Sequence, residues 1–233
     1  QVNSDASING LTVGKGAGAV SSNTVVGNGA QASANGGQAL DAFGQGALAA
    51  GPSGNYNAAF GRYSGASITS GSYNTSIGSA ALYSNTTASY NTAVGYQSLY
   101  TNTGGYNTAL GTGTLYANTT SEDNTAVGYY ALRNSTGGLN TAVGSNSQPF
   151  TTTGASNSSL GQGSLYSNTI GSYNTGLGRE ALRSNTTAAW STAIGYQASY
   201  SSNASYNVAI GAHALFTNTS TTGVVAIGRQ AGY

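Results

Sequence analysis

Apolar and polar positions along the chain do not follow the 3.6-residue spacing of a packed helix. A large apolar residue instead recurs immediately before a glycine, as in Val13-Gly14, Phe60-Gly61, Ile77-Gly78, Leu110-Gly111, Ile194-Gly195 and Ile227-Gly228. A small residue precedes it (Ser76, Ala93, Gly176, Ala209), and before that most repeats place Thr (Thr75, Thr92, Thr125, Thr192). Side chains alternate faces along a strand, so Thr92 and Val94 share one face while Ala93 takes the other. The large apolar column is expected to be the interior one. Three residues after the glycine the side chain is small again (Ala47, Ser64, Ala81, Ser98), and the next is usually Leu (Leu82, Leu99, Leu132, Leu165). This pattern predicts two short strands per unit.

Fourteen such glycines run from Gly14 to Gly228, the first pair 13 residues apart and the rest 16 or 17. Units of that length, broken by Gly and Asn-Thr, are too short to hold a packed helix with its turns. Units of this kind fit coils that stack and form ladders of like residues. The expected fold is therefore all-β, a parallel β-solenoid (β-roll) of about 14 coils with a 16–17 residue period. Residues 1–233 form a single repeat domain in this reading, with coils over 14–233 and an N-terminal segment over 1–13. Asn recurs four residues before the glycine (Asn57, Asn74, Asn91, Asn157) and again about seven after it (Asn85, Asn102, Asn168, Asn185). Asn tolerates turn geometry and its amide both donates and accepts, so these columns are expected to turn the corners and bond along the stack.

The segments Asn124-Thr125-Ala126-Val127-Gly128, Asn207-Val208-Ala209-Ile210-Gly211 and Val225-Ala226-Ile227-Gly228 resemble the head repeat of YadA-type trimeric autotransporter adhesins. The Asn-Thr-Ala-Val-Gly-Tyr repeat is also similar to repeats of phage tail-fibre and other surface-fibre proteins. The resemblance covers nearly the whole chain. It implies a left-handed parallel β-roll, commonly trimeric, serving as an extracellular adhesive or structural element on a cell or virion surface.

Composition narrows the function classes. Six Lys or Arg against five Asp or Glu leave a net charge of +1, without the clustered cations that phosphate neutralisation needs, so no nucleic-acid partner is expected. There is no Cys, hence no disulfide framework and no thiolate metal site. No apolar run approaches the roughly 20 residues of a membrane span. The chain opens on Gln1 without Met, as expected of a processed form. His213 lies at a variable outward position with no second ligand near it in sequence, and Glu122-Asp123 reads as a solvated turn. The run Gly14-Lys15-Gly16-Ala17-Gly18 lacks the spacing and following helix of a phosphate loop. No enzymatic activity, catalytic residue, metal or cofactor is expected.

Candidate contacts lie in surface columns. Tyr56, Tyr73, Tyr90, Tyr106, Tyr173, Trp190 and Tyr206 precede the first Asn column, and Tyr83, Tyr100, Tyr116, Tyr166, Tyr200 and Phe216 follow the Leu column. They read either as stacking ladders or as a strip for carbohydrate or another subunit. The most variable column follows the glycine and supplies the candidate partner-facing stripe: Arg62, Tyr96, Tyr129, Arg179, Tyr196 and Arg229. Asn85, Asn118, Asn134, Asn185 and Asn218 each match Asn-X-Ser/Thr and are candidate glycan acceptors. The coil begun at Gly228 is left incomplete at Tyr233, so residues 1–13 of one copy are expected to complete the last coil of another. Val2, Ile8, Leu11, Val13, Ile227 and Tyr233 would form that junction, with lateral trimerisation as its rival. The favoured function is a structural, or structural and adhesive, subunit of an extracellular fibre. The alternatives are a trimeric adhesin or tail-fibre head binding surface glycans, and an ice-binding solenoid using Thr86, Thr103, Thr119, Thr186 and Thr219.

Overall fold

Each repeat contributes one three-residue strand, where the sequence pattern predicts two. The computed structural model describes residues 6–9, 11–33 and 35–233. Its regular elements are fifteen strands, and together they make an all-β parallel β-solenoid of about 12 turns. Two compact units, Gln1–Thr120 and Ser121–Tyr233, carry the same architecture. In the first, β3 (Thr24–Val26), β4 (Asp41–Phe43), β5 (Ala58–Phe60), β6 (Thr75–Ile77), β7 (Thr92–Val94) and β8 (Thr108–Leu110) pair in chain order, all parallel. The second repeats this with β9 (Thr125–Val127), β10 (Thr141–Val143), β11 (Ser158–Leu160), β12 (Thr175–Leu177), β13 (Thr192–Ile194), β14 (Val208–Ile210) and β15 (Val225–Ile227). Register is column on column, as in Thr75↔Thr92, Ser76↔Ala93 and Ile77↔Val94.

The N-terminal segment pairs antiparallel, unlike the coils. β1 (Ala6–Ile8) and β2 (Leu11–Gly14) form an antiparallel hairpin, and β2 pairs antiparallel with β3 through Val13↔Val26. The described part of this segment thus pairs with the first coil of its own chain. Gly14 ends a hairpin strand, which accounts for the odd first spacing.

Where a second strand is expected, the chain makes a turn with Leu in the left-handed region: φ is 53° at Leu82, 49° at Leu99 and 48° at Leu115. That conformation costs an L-residue roughly 1–2 kcal/mol. It persists because it turns each Leu into the interior and aims its N–H at the next coil. Leu82 N–H donates to Ser98 O at 2.9 Å and Leu99 N–H to Thr114 O at 3.0 Å. The repeat glycine is needed for two reasons. Gly78 has φ 126°, and a Cβ there would lie 2.6 Å from Gly95 O of the next coil.

The interior is narrow and is filled by Leu82, Leu99 and Leu115 against Ala59, Ala93 and Ala109, all fully buried, with Leu165, Leu182, Ala193 and Ala209 doing the same in the second unit. Not every coil keeps its Leu: Gln31, Gln148 and Ser199 stand in its place in three, and another carries Gly65. Ile68, in the column that elsewhere holds Asn85 or Asn102, fills the gap, so that a Cβ on Gly65 would meet Ile68 Cδ1 at 3.0 Å. Volume is conserved by a swap between columns.

Buried Asn side chains tie coil to coil. Asn74 Oδ1 accepts from Asn91 N–H at 3.0 Å, while Asn74 Nδ2 donates to Ala88 O at 3.0 Å. Asn85 Nδ2 donates to the same Ala88 oxygen at 3.0 Å, so both Asn columns converge on one turn carbonyl. The second unit repeats this at Ala188, which accepts from Asn174 at 2.8 Å and from Asn185 at 3.1 Å.

Two stability measurements test this packing. Asn74→Ala orphans the buried Asn91 N–H and should lower the free energy of unfolding by roughly 1–3 kcal/mol in denaturant titration. Gln148 stands in the Leu column with its Oε1 buried and unbonded. Its Nε2 donates to Thr141 O at 3.1 Å and to Ser159 Oγ at 2.7 Å, and its φ of 51° is one the Leu residues already adopt. Gln148→Leu with Ser159→Ala, which restores the Leu-on-Ala packing of other coils, should therefore raise stability by about 1 kcal/mol in the same titration.

Candidate interaction surface

The face assignment of the strands is the reverse of the sequence expectation. Ala93 is fully buried, whereas Thr92 and Val94 on either side of it are only partly covered. Phe60, Ile77 and Leu110 in the first unit, and Leu160, Ile194 and Ile227 in the second, are exposed. The reason is space: the interior already holds a Leu opposite the strand, and only Ala, Ser or Gly fits facing it. The larger residue of each pair is turned out together with the Thr that shares its face. Phe43 and Phe60 stack along this outward column with centroids 4.8 Å apart and planes 6° from parallel.

A signal for this was present in the sequence. The column two before the glycine never exceeds Ala, Ser or Gly over most repeats, and a uniformly small column marks the confined side.

The aromatic columns are stacking ladders. Tyr56, Tyr73, Tyr90 and Tyr106 stack successively at 4.9, 5.0 and 4.9 Å. Tyr83, Tyr100 and Tyr116 form a second, half-buried ladder at 5.2 and 5.1 Å. In the other unit Tyr173 stacks on Trp190 at 4.1 Å, and Tyr200, Phe216 and Tyr233 continue at 5.1 and 5.5 Å. Neighbouring rings cover one another's faces, so the ladders present edges and hydroxyls outward, not open faces on which a sugar would stack.

All six residues of the candidate stripe, Arg62, Tyr96, Tyr129, Arg179, Tyr196 and Arg229, are exposed. Two of the arginines also pack along the stack. The Arg62 guanidinium lies 4.7 Å from the Tyr63 ring centre and its Nε donates to Gln45 Oε1 at 3.2 Å; Arg179 lies 5.9 Å from the Tyr196 ring centre. The stripe is therefore partly ordered by its own cation–π contacts.

The candidate glycan acceptors divide. Asn85, Asn118 and Asn185 are fully buried, and their Nδ2 atoms donate to Ala88 O, Asn102 Oδ1 and Ala188 O. The folded chain offers no free acceptor nitrogen at these three, because the same amides hold the corner. Asn134 and Asn218 are half-exposed, and Asn218 Nδ2 donates to Thr221 O at 2.8 Å. Of the candidate junction residues, Val2 lies outside the described residues and Ile8 pairs with Leu11 in the β1–β2 hairpin. Leu11, Val13, Ile227 and Tyr233 are exposed.

His213 Nε2 lies 3.0 Å from Gln197 Oε1, and its ring packs edge-on to Tyr196. Glu122 and Asp123 are exposed in a turn. Among the described residues no group of three His, Cys, Asp or Glu side chains converges, and no helix is long and apolar enough to cross a membrane. Compared with protein-family models, curated proteins and solved structures, the chain matches none.

Burial pushes the Tyr100 phenol above the ordinary 10.0, and its neighbours Tyr116, Tyr83 and Tyr96 push it further, since a second phenolate beside the first is repelled. Tyr129 is raised chiefly by its side-chain hydrogen bond with Tyr130. Both shifts favour the neutral form in the folded chain. The stability they carry is intact below pH 10.0 and is lost as pH rises from there through the raised values. The thermal unfolding midpoint should hold level up to that point and fall beyond it, and Tyr100→Phe should make the fall shallower.

Proposed function

We propose that this chain is a structural subunit of an extracellular fibre, on a cell or virion surface, that associates with copies of itself through the outward strand face. The observation that carries the reading is the outward column Phe60, Ile77, Leu110, Leu160, Ile194 and Ile227, repeated coil after coil beside Thr. Regular apolar exposure of this kind is a usual mark of an association surface. The near absence of charge supports it, because two such faces meet without burying unpaired ions. Coil-to-coil hydrogen bonds transmit load along the stack. The variable stripe from Arg62 to Arg229 is where adhesive specificity, including for carbohydrate, would reside.

A second reading has one observation in its favour. The strand threonines Thr75, Thr92 and Thr108 are in register on the outward face, an array that suits ordered water and hence ice. The turn threonines are less suited. Thr103 Oγ1 already donates to Thr119 O at 2.6 Å, and the carbonyls of Thr86 and Thr186 accept from Thr69 and Thr169.

Sedimentation and electron microscopy of the purified chain separate these. The fibre reading expects oligomers or filaments at micromolar concentration, and Ile77→Lys with Ile194→Lys should release discrete monomers with the circular dichroism unchanged. Monomers at every concentration tested would overturn it. Thermal hysteresis in cooled solution, abolished by Thr92→Tyr, would favour the second reading.

A further inference from the structure

The exposed ladder of Tyr56, Tyr73, Tyr90 and Tyr106 holds four phenols in one row. Its rings lie 4.9, 5.0 and 4.9 Å apart with planes 13°, 4° and 8° from parallel, so each ring sits directly over the next. Their exposures of 57, 49, 49 and 57% leave every phenol open to a reagent in solution. The backbone beneath is held rigidly: Tyr73 N–H donates to Asn55 O at 3.0 Å and Tyr90 N–H to Ser72 O at 3.1 Å. The ring torsion about Cβ–Cγ is soft by comparison. Turning two neighbouring rings about those bonds brings them edge to edge, Cε to Cε, with little movement of either main chain.

We propose that this ladder is an oxidative crosslinking site, at which a peroxide-driven peroxidase joins neighbouring tyrosines by Cε–Cε bonds and so fastens successive coils covalently. Each of two phenols gives one electron and one proton to the oxidant, leaving two tyrosyl radicals. Their ortho carbons form one C–C bond, and each ring then moves its ortho hydrogen to oxygen and regains aromaticity. One hydrogen peroxide is reduced to two waters, and the protein loses two hydrogens per crosslink. Coupling inside the ladder is favoured because the second ring is already in place, at a high effective concentration. The other unit provides an internal contrast: Tyr173 has Trp190 as its stacking neighbour at 4.1 Å, and an indole cannot complete a tyrosine–tyrosine bond. The inference does not depend on how copies of the chain associate.

The test treats the dilute purified chain with a peroxidase and hydrogen peroxide, followed by dityrosine fluorescence and peptide mapping by mass spectrometry. The expected products are intramolecular links Tyr56–Tyr73, Tyr73–Tyr90 or Tyr90–Tyr106, each with the loss of two hydrogens, and an upward shift of the thermal unfolding midpoint. Tyr90→Phe keeps the ring stack and removes the phenol. It should abolish both links at position 90 and preserve Tyr56–Tyr73, with circular dichroism unchanged before oxidation. Links spread over all tyrosines without preference for ladder neighbours, links formed only between molecules, or no link at all would each overturn the proposal.

Discussion

Everything in this fold hangs on the hydrogen bonds that run from one coil to the next, and the buried Asn side chain is their strictest member. Asn74 accepts from the main chain of the coil above it through Oδ1 and donates to that coil's turn through Nδ2, both at 3.0 Å. An amide buried without partners is costly, so each coil is stable only when the next is in place with the same register. The corner tolerates little variation. Where Ser191 replaces Asn in the second unit, its hydroxyl reaches Asn207 N–H only at 3.3 Å.

That axial ladder also explains how the chain sustains so many left-handed residues. In one coil Tyr90, Gln97 and Leu99 have φ of 62°, 54° and 49°. Each of these corners hands its N–H to an adjacent coil: Tyr90 to Ser72 O, Gln97 to Ser79 O and Leu99 to Thr114 O. A single coil would not hold such corners; a stack of identical coils does, because the strain and the bond that offsets it recur together. The same corners decide what the surface displays. A tyrosine held in register at each turn places its ring over the next, and the ladder is a by-product of main-chain bonding that then acquires chemistry of its own.

Small coils have a second consequence. An interior that in most coils holds one Leu and two small side chains cannot take up the remaining aliphatic residue, which is forced outward onto the strand face. The surface becomes apolar by geometry, and association offers a way to cover it. Stability and the character of the outer face are coupled through the width of the coil.

The amino-acid sequence by itself determined the period, the parallel β-solenoid class, the glycine at each bend and the Asn columns at the corners. These are one-dimensional properties: like residues stack on like residues, so the repeat in the chain is the repeat in space. The Ile68-for-Leu exchange at Gly65 was readable only afterwards, because it pairs residues from different columns that meet inside the coil. Only the tertiary structure decided which face of the strand is inside. Alternation assigns Ala93 and Val94 to opposite sides but does not say which side is confined, and that follows from the volume left beside Leu99. It likewise decided that the Leu segment is a turn, since positive φ at Leu contradicts local preference and is sustained by bonds to other coils. And it decided that Asn85, Asn118 and Asn185 are corner braces, because a tripeptide motif carries no information about burial.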